Sequence, residues 1–181
     1  MPDVFTLLEN DHRNVESMLE ELTASSPGAQ REQLVDKLAA SLQVHMRFEE
    51  EAVYPLLVPL DASMEEEAEV EHRLAREGLT KMAELLDAPG FGAAVEMVKA
   101  GIGHHVEEEE QEAFPKLRSA VDESTAERLT AELLQRKTEA GTLRDDLAAA
   151  SKADLVEMAA AAGIERRSSM TKDELIAALT G

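Results

Sequence analysis

Apolar residues recur along most of the chain with the spacing of amphipathic helices. From Val4 to Leu22 they fall three, four or seven positions apart, which predicts a first helix that ends at the Ser25–Gly28 loop. The same pattern predicts further helices over residues 29–60, 63–86, 91–120 and 124–147. Because strand formers are sparse, we expect an all-helical protein, with Ser63 as the N-cap of the third helix.

The chain contains an internal repeat with a constant offset of 60 residues. The matched positions are Asp11 with Glu71, His12 with His72, His45 with His105, Glu49 with Glu109, and Tyr54-Pro55 with Phe114-Pro115. One helix–loop–helix unit has been duplicated, and two such hairpins can close into an up-down four-helix bundle with an approximate two-fold axis. The prolines should kink or end the second and fourth helices, because proline lacks the amide donor and clashes with the preceding turn.

The end of the chain has a different pattern. Ser151 and Thr171 are predicted to cap two short helices in capping-box-like sequences, and Gly163 should end the first of these helices. We place a domain boundary near Ala150, which predicts a bundle over residues 1–149 with a fifth helix, and a small helical appendage over residues 150–181.

Composition excludes several kinds of binding partner and of chemical site. The net charge of -20 argues against nucleic acid or an anionic membrane as the main partner, and it favours a soluble monomer with a mild attraction for cations. The absence of cysteine excludes disulfides, zinc–thiolate sites, iron–sulfur clusters and thiol nucleophiles. The sequence has no basic leader and no apolar run near the ~20 residues of a membrane span, so we expect a cytoplasmic protein.

Two histidine–glutamate pairs point to metal binding. His45-x-x-x-Glu49 places an imidazole and a carboxylate one helical turn apart on the same face, where both can bind one metal. His105-x-x-x-Glu109 does the same from another helix, and the first helix of each repeat adds one histidine. The candidate ligands are His12, His45, Glu49, His72, His105 and Glu109.

The number of ligands predicts the number of metals. Four imidazoles and two carboxylates exceed what one tetrahedral zinc needs. Two metals that share two bridging carboxylates fit better, each with two histidine nitrogens, an oxo or hydroxo bridge and one open position. Mixed imidazole and carboxylate sites with open positions suit iron and oxygen chemistry, so we expect two iron ions, although the spacing is also compatible with manganese or zinc.

Tyr54 is the only tyrosine of the chain, and its repeat partner is Phe114. A phenolate oxygen is a hard donor that suits ferric iron. On an ideal helix Tyr54 would lie about 140° from Glu49, on the wrong face, but a π-bulge beside Pro55 would rotate it inward. We hypothesise that Tyr54 binds or borders one iron and makes the two metals inequivalent. The alternative is an ordinary tyrosine packed in the bundle.

The residues beside the second pair leave two possible choices of ligands. His104 precedes His105, and we expect it to support a ligand or to lie at the surface, although a shifted register would make His104 and Glu108 the ligands. Glu50 is expected to be a surface charge. The same expectation applies to the other acidic residues beside the two pairs, namely Glu51, Glu107, Glu108, Glu110 and Glu112.

These residues, with Tyr54-Pro55 shortly after the first pair, resemble the hemerythrin-like HHE cation-binding family over about residues 4–120. The ligand set is similar to that of iron-cluster repair proteins and of mycobacterial-type hemerythrin-like proteins. It differs from that of oxygen-carrying hemerythrins, which have an HxxxH unit. The cysteine-bearing domain that repair proteins often add has no counterpart in this sequence.

The resemblance implies a non-haem di-iron oxidoreductase that reacts with hydrogen peroxide or nitric oxide, in a peroxidase- or catalase-like detoxification. Two alternatives stay open. One is reversible binding or sensing of dioxygen or nitric oxide by the diferrous form, although the reduced ligand number is unfavourable to a stable oxygen carrier. The other is storage or donation of iron.

The end of the chain resembles the helical motif of the Rho-termination-factor N-terminal or SAP type, through Lys152-Ala153-Asp154-Leu155 and residues 169–175. Some proteins with that motif contact nucleic acid. Because residues 151–181 hold four basic and five acidic residues, we favour docking to a protein partner.

Overall fold

The computed structural model describes residues 3–180, without the side chains of Ala149 and Ala161. Over that range the chain is all-helical, as the sequence predicts. None of the helices in the described range combines the length and the apolarity needed to cross a bilayer.

The duplication in the sequence is also a duplication of structure. The first repeat comprises α1 (Val4–Ala24), α2 (Ala29–Phe48), a π-helical turn (Glu49–Val53) and the short α3 (Tyr54–Leu57). The second comprises α4 (Ala62–Glu84), α5 (Phe91–Glu108), a π-helical turn (Glu109–Ala113) and α6 (Phe114–Ala120). The long helices predicted over residues 29–60 and 91–120 are thus each interrupted by one wide turn, immediately after the HxxxE pair.

By their internal contacts the residues form two compact units. One is Val15–Val121, and the other joins the residues up to Asn14 with those from Asp122 onward. The boundary falls within α1, which contributes residues to both units. The domain boundary expected near Ala150 stays a prediction.

A continuous apolar core holds the Val15–Val121 unit together. Its residues come from α1, α2, α4 and α5, and they include Val15, Leu19, Leu22, Leu38, Leu42, Met46, Leu79, Met82, Val95, Val98, Ile102 and Val106. Within each helix these positions are mostly three, four or seven apart, so one face of each helix is buried. Each such side chain contributes roughly 1.5–3 kcal/mol by its burial, which fixes the helices that hold the candidate ligands.

Gly78 of α4 packs tightly against α5. A Cβ atom at this position would lie 2.5 Å from Cγ2 of Val98, a stiff, buried side chain. Gly78→Ala should therefore destabilise the protein by about 1–3 kcal/mol, despite the better helix propensity of alanine. Urea unfolding of the metal-free protein measures this change.

Gly101 provides the matched control for this substitution. It lies inside α5, it is exposed, and a Cβ atom there would meet nothing within 4 Å. Gly101→Ala should stabilise the protein by up to about 1 kcal/mol. The double variant Gly78→Ala/Val98→Ala should be more stable than the single variant Val98→Ala. Equal effects of the two glycine substitutions would contradict the close approach.

The N-cap of α4 differs from the prediction. Asp61, rather than Ser63, caps this helix, because the Asp61 carboxylate accepts the amide of Met64 at 3.3 Å. The hydroxyl of Ser63 instead donates to the Asp61 carboxylate at 2.9 Å. The predicted cap was wrong by two positions because both residue types favour N-caps, and propensity alone does not separate them.

The predicted fifth helix is divided at Gly141. Its φ of 76° lies in the left-handed region, which glycine adopts without strain. The helices on either side are α7 (Glu123–Ala140) and α8 (Leu143–Ala149). The single helix expected over residues 124–147 was therefore wrong, and Gly141 acts as a helix terminator.

Lys137 carries a buried charge in the unit that contains α7 and α8. Its ammonium group donates to the carboxylates of Asp11 and Asp146, the latter at 2.9 Å. Burial disfavours the charged form of Lys137, but the two carboxylates outweigh it and raise its pKa above 10.5. Burial also raises the pKa of Asp146.

The final helices begin as predicted. Ser151 and Asp154 form a capping box, in which each side chain accepts the backbone amide of the other residue at 3.2 Å. Thr171 and Glu174 make the equivalent pair of hydrogen bonds. Gly163, with a φ of 71°, follows the first of these helices. The two helices are α9 (Lys152–Ala161) and α10 (Lys172–Thr180).

Candidate metal centre

Five of the six predicted ligands lie in the Val15–Val121 unit, and all five are buried. They are His45, Glu49, His72, His105 and Glu109. Each HxxxE pair keeps its two side chains together: Nε2 of His45 lies 3.2 Å from Glu49 Oε2, and Nε2 of His105 lies 3.5 Å from Glu109 Oε2. The pairs therefore have the common helix face that their spacing predicts.

Glu49 belongs to two groups of candidate ligand atoms. Its carboxylate forms one group with His45 and Glu109, and a second group with His72 and His105. Within each group the ligand atoms lie within 4.8 Å of one another. The Glu49 carboxylate is therefore common to both groups of candidate metal ligands.

The imidazoles of His72 and His105 are both fixed by carboxylates. Nδ1 of His72 lies 3.0 Å from Glu50 Oε1, and Nδ1 of His105 lies 2.8 Å from Glu71 Oε2. Because an ionised carboxylate only accepts hydrogen bonds, both Nδ1 atoms must be protonated. Burial, and next the nearby His105, lowers the pKa of His72 from 6.5 to about 2, so that its Nε2 carries a lone pair.

The donor set fits a metal ion. The Nε2 atoms of His72 and His105 face each other at 3.0 Å. Two nitrogens bound at right angles to one metal, each at about 2.1 Å, would be about 3.0 Å apart. When both rings are neutral and carry their proton on Nδ1, the two Nε2 lone pairs repel each other at this distance, and a cation bound by both nitrogens removes that repulsion. Neutral histidines with hydrogen-bonded Nδ1 atoms are the usual form of metal-ligating histidine.

The π-helical turn before Tyr54 is the irregularity that its position beside Pro55 predicts. The amide of Tyr54 donates to the carbonyl of Glu49, five residues earlier, which is the hydrogen bond of a π-helix. The second repeat has the same bond between Phe114 and Glu109. One wide turn brings residues five apart onto one face, so Tyr54 follows Glu49 inward.

The Tyr54 phenol lies among the candidate ligands. Its oxygen donates to Glu109 Oε1 at 3.1 Å and lies 3.1 Å from His72 Nε2. Burial, followed by the Glu109 carboxylate, raises the pKa of Tyr54 well above its usual range. The phenol is therefore neutral beside these groups, whereas a bound metal ion would favour the phenolate. In the second repeat the buried Phe114 offers no oxygen.

His12, the sixth predicted ligand, lies in the unit that includes the residues up to Asn14. Its side chain is buried. It precedes Val15 by three positions and Leu19 by seven on the continuous helix α1, so it shares the face that these buried residues occupy. Its role as a ligand stays a prediction.

Residues 3–117 match the sequence model of the hemerythrin HHE cation-binding domain. This chain belongs to the hemerythrin HHE cation-binding family. Residues 146–180 match the N-terminal domain of the Rho termination factor.

The fold of this hemerythrin-family chain has a counterpart among solved structures. It is similar to a hemerythrin HHE cation-binding domain-containing protein from Mycobacterium kansasii, with a TM-score of 0.66 and 21% sequence identity. The similarity covers 79% of this chain and 90% of the other. At this identity the similarity shows the fold alone. No curated protein gives a significant sequence match.

Two supporting carboxylates of this hemerythrin-family site were missed or misjudged from sequence. Glu50, expected to be a surface charge, is half-buried and holds His72, and Nη2 of Arg76 contacts both Glu50 oxygens at 2.8 and 2.9 Å. Glu71, which had no assigned role, holds His105. Their sequence positions could have indicated these roles, because Glu50 follows a candidate bridging glutamate and Glu71 precedes a candidate ligand.

Burial distinguishes the two possible ligand pairs on this part of the chain. His105 and Glu109 are buried, whereas the His104 side chain is 62% exposed and the Glu108 side chain 35% exposed. The hemerythrin-family helix α5 therefore turns the predicted pair inward. His104 lies at the surface, which was one of the two places expected for it.

Proposed function

We propose that this chain is a di-iron protein in which Glu49 and Glu109 bridge two iron ions and four histidines complete the ligand set. The histidines are His12, His45, His72 and His105. The two ligand groups that share Glu49 support a dinuclear site. The inclusion of His12 rests on its match with His72 in the repeat and on its buried face of α1.

We propose further that the centre removes hydrogen peroxide, nitric oxide or both. Bound iron would supply redox chemistry on such small molecules. Disproportionation of two peroxide molecules to two waters and one dioxygen balances without an external reductant. Reduction of two nitric oxide molecules to nitrous oxide and water takes two electrons and two protons, which a separate electron donor would supply. The five buried ligands restrict access to small species, which agrees with substrates of this size.

The protein's own groups would prepare the site in two ways. Glu50 and Glu71 hold the protons on Nδ1 of His72 and His105, so that Nε2 of each ring stays available. Such supporting partners fix ring orientation and raise ligand basicity. Arg76 in turn holds Glu50. The burial of the ligands in the Val15–Val121 unit excludes bulk water from them.

The position of the Tyr54 phenol is the observation that supports the proposed reaction most directly. Its oxygen lies 3.1 Å from both His72 Nε2 and Glu109 Oε1, within the cluster rather than beside it. A hard anionic oxygen donor stabilises ferric iron. Because only the first repeat has this oxygen, one iron would be stabilised in the ferric state more than the other. That asymmetry suits turnover with an oxidant better than reversible oxygen carriage.

The reaction is tested with an oxygen electrode and peroxide. Iron-loaded protein should consume peroxide and release half as many molecules of dioxygen, or consume nitric oxide when a reductant such as ascorbate is supplied, well above a control with the same amount of chelated iron. Metal-free protein should do neither. Reversible dioxygen binding without consumption of peroxide or nitric oxide would overturn the oxidoreductase in favour of a binding protein.

Tyr54→Phe should change the visible spectrum of the ferric protein. A phenolate bound to ferric iron gives a charge-transfer band, and phenylalanine has no oxygen to supply it. The variant should lose this band while it keeps the iron content of the wild type. An identical ferric spectrum in Tyr54→Phe would end the assignment of Tyr54 as a ligand.

We also propose that the chain acts as a cytoplasmic monomer and that residues 150–181 dock to a protein partner. The net charge of -20 supports the monomer, because like-charged chains repel each other. The near balance of charges in the final residues suits a protein surface better than nucleic acid. Sedimentation should give the 19.8 kDa of one chain, and a dimer mass would contradict this.

A further inference from the structure

A second HxxxE pair lies on α5, one residue before the buried pair. His104 and Glu108 are one turn apart at the surface, and Nε2 of His104 lies 3.5 Å from Glu108 Oε1. Glu71 reaches the same place from α4, with its Oε1 atom 3.8 Å from His104 Nε2. One ligand atom from each of the three residues lies within 4.8 Å of the others.

We propose that Glu71, His104 and Glu108 form a surface site for a divalent transition metal such as Zn²⁺, separate from the buried centre. The donors are one imidazole and two carboxylates, a combination that zinc and related ions accept. Two ligands on a tetrahedral metal, each at about 2.1 Å, are about 3.4 Å apart. The observed separations of 3.5 and 3.8 Å need only small side-chain adjustments, and water would fill the open position.

Glu71 has one oxygen for each of its two neighbours. Its Oε2 atom accepts the Nδ1 proton of His105 at 2.8 Å, and its Oε1 atom faces His104. The hydrogen bond to His105 fixes the carboxylate, whose side chain is only 17% exposed. A fixed carboxylate loses less side-chain entropy on binding a metal than a mobile surface glutamate does.

At the matching position of the other repeat, the carboxylate is paired with a cation. Asp11 is the residue that matches Glu71 at the offset of 60. The Asp11 carboxylate is bound to the cationic ammonium of Lys137. Glu71 instead meets a histidine and a second glutamate. A metal ion bound by these groups would supply at Glu71 the positive charge that Lys137 supplies at Asp11.

The experiment is a zinc titration of the iron-loaded full chain at physiological ionic strength. Calorimetry measures the stoichiometry and affinity of zinc binding, and the imidazole NMR signals identify the histidines that respond. Wild-type protein should bind one Zn²⁺ per chain at this site, and the signals of the exposed His104 ring should shift on binding. His104→Ala should lose that equivalent while it keeps its iron. Glu108→Gln should weaken the same equivalent.

Glu107→Gln is the matched control, because Glu107 is an exposed carboxylate of the same acidic run. It should bind zinc as the wild type does. Equal zinc stoichiometry and affinity in wild type and His104→Ala would overturn the site. This outcome is separate from a failure of the di-iron centre, which would appear as low iron content before zinc is added. Metal-free protein allows the same comparison of wild type and His104→Ala.

Discussion

Glu49→Gln should reduce the iron content from two ions per chain to less than one. Glu49 is the carboxylate shared by both ligand groups, so its loss removes an oxygen donor from both metals at once. Glutamine keeps the size of the side chain but offers a neutral amide, which binds iron poorly and cannot balance its charge. Metal analysis after anaerobic loading and desalting measures the effect.

The same substitution separates metal binding from folding. A buried carboxylate is costly to keep charged, so metal-free Glu49→Gln should be about as stable as metal-free wild type. Iron should stabilise the wild type by roughly 4 kcal/mol when its free concentration is 1,000 times the dissociation constant, but should not stabilise the variant. Glu51→Gln, in the same π-helical turn but exposed, is the control and should keep both irons. Two irons retained in Glu49→Gln would contradict the bridging role.

Lys137→Met should lower the free energy of unfolding by about 3–5 kcal/mol, the usual cost of removing one partner from a buried ion pair. Lys137 is the cation that neutralises the buried Asp11 carboxylate and the half-buried Asp146 carboxylate. Methionine fills similar space but leaves two negative charges in the interior. Guanidinium unfolding of the metal-free protein, where iron does not contribute, measures the difference.

The contribution of Lys137 has a defined pH dependence. Its folded pKa is raised above 10.5, so the stabilisation is fully present below pH 10.5 and is lost as the pH rises through the folded pKa. Wild type and Lys137→Met should therefore converge in stability at strongly alkaline pH. Arg128→Met is the control: Arg128, whose side chain is 61% exposed, pairs with Glu132 at 3.4 Å, and such an exposed ion pair contributes about 1 kcal/mol or less. Equal losses in the two variants would contradict the buried charge cluster.

Much of the site was predictable because duplication makes chance agreement improbable. A lone HxxxE pair is common, but His45 with Glu49 and His105 with Glu109 recur at one offset, and the structure buries all four. The inward rotation of Tyr54 was also accessible, since Pro55 signals a local disturbance and a wide turn is the way to bring position 54 onto the face of Glu49.

The remaining features depend on tertiary contacts that periodicity does not encode. Glu50 and Glu51 are adjacent glutamates of the same sequence type, yet only Glu50 meets the ring of His72. Gly141 breaks a helix that its neighbours would have continued, and its sequence position alone did not distinguish a terminator from a tolerated glycine. Lys137 resembles any helical surface lysine until its two carboxylate partners, 126 and 9 residues away, are known.

The most direct measurement is the iron content of the purified wild-type chain after anaerobic loading with ferrous iron and removal of the excess. Two tightly held irons per chain, lost together in Glu49→Gln and kept in Glu51→Gln, are what the proposed centre requires. A wild-type chain that retains fewer than two would contradict a dinuclear site built from these histidines and glutamates.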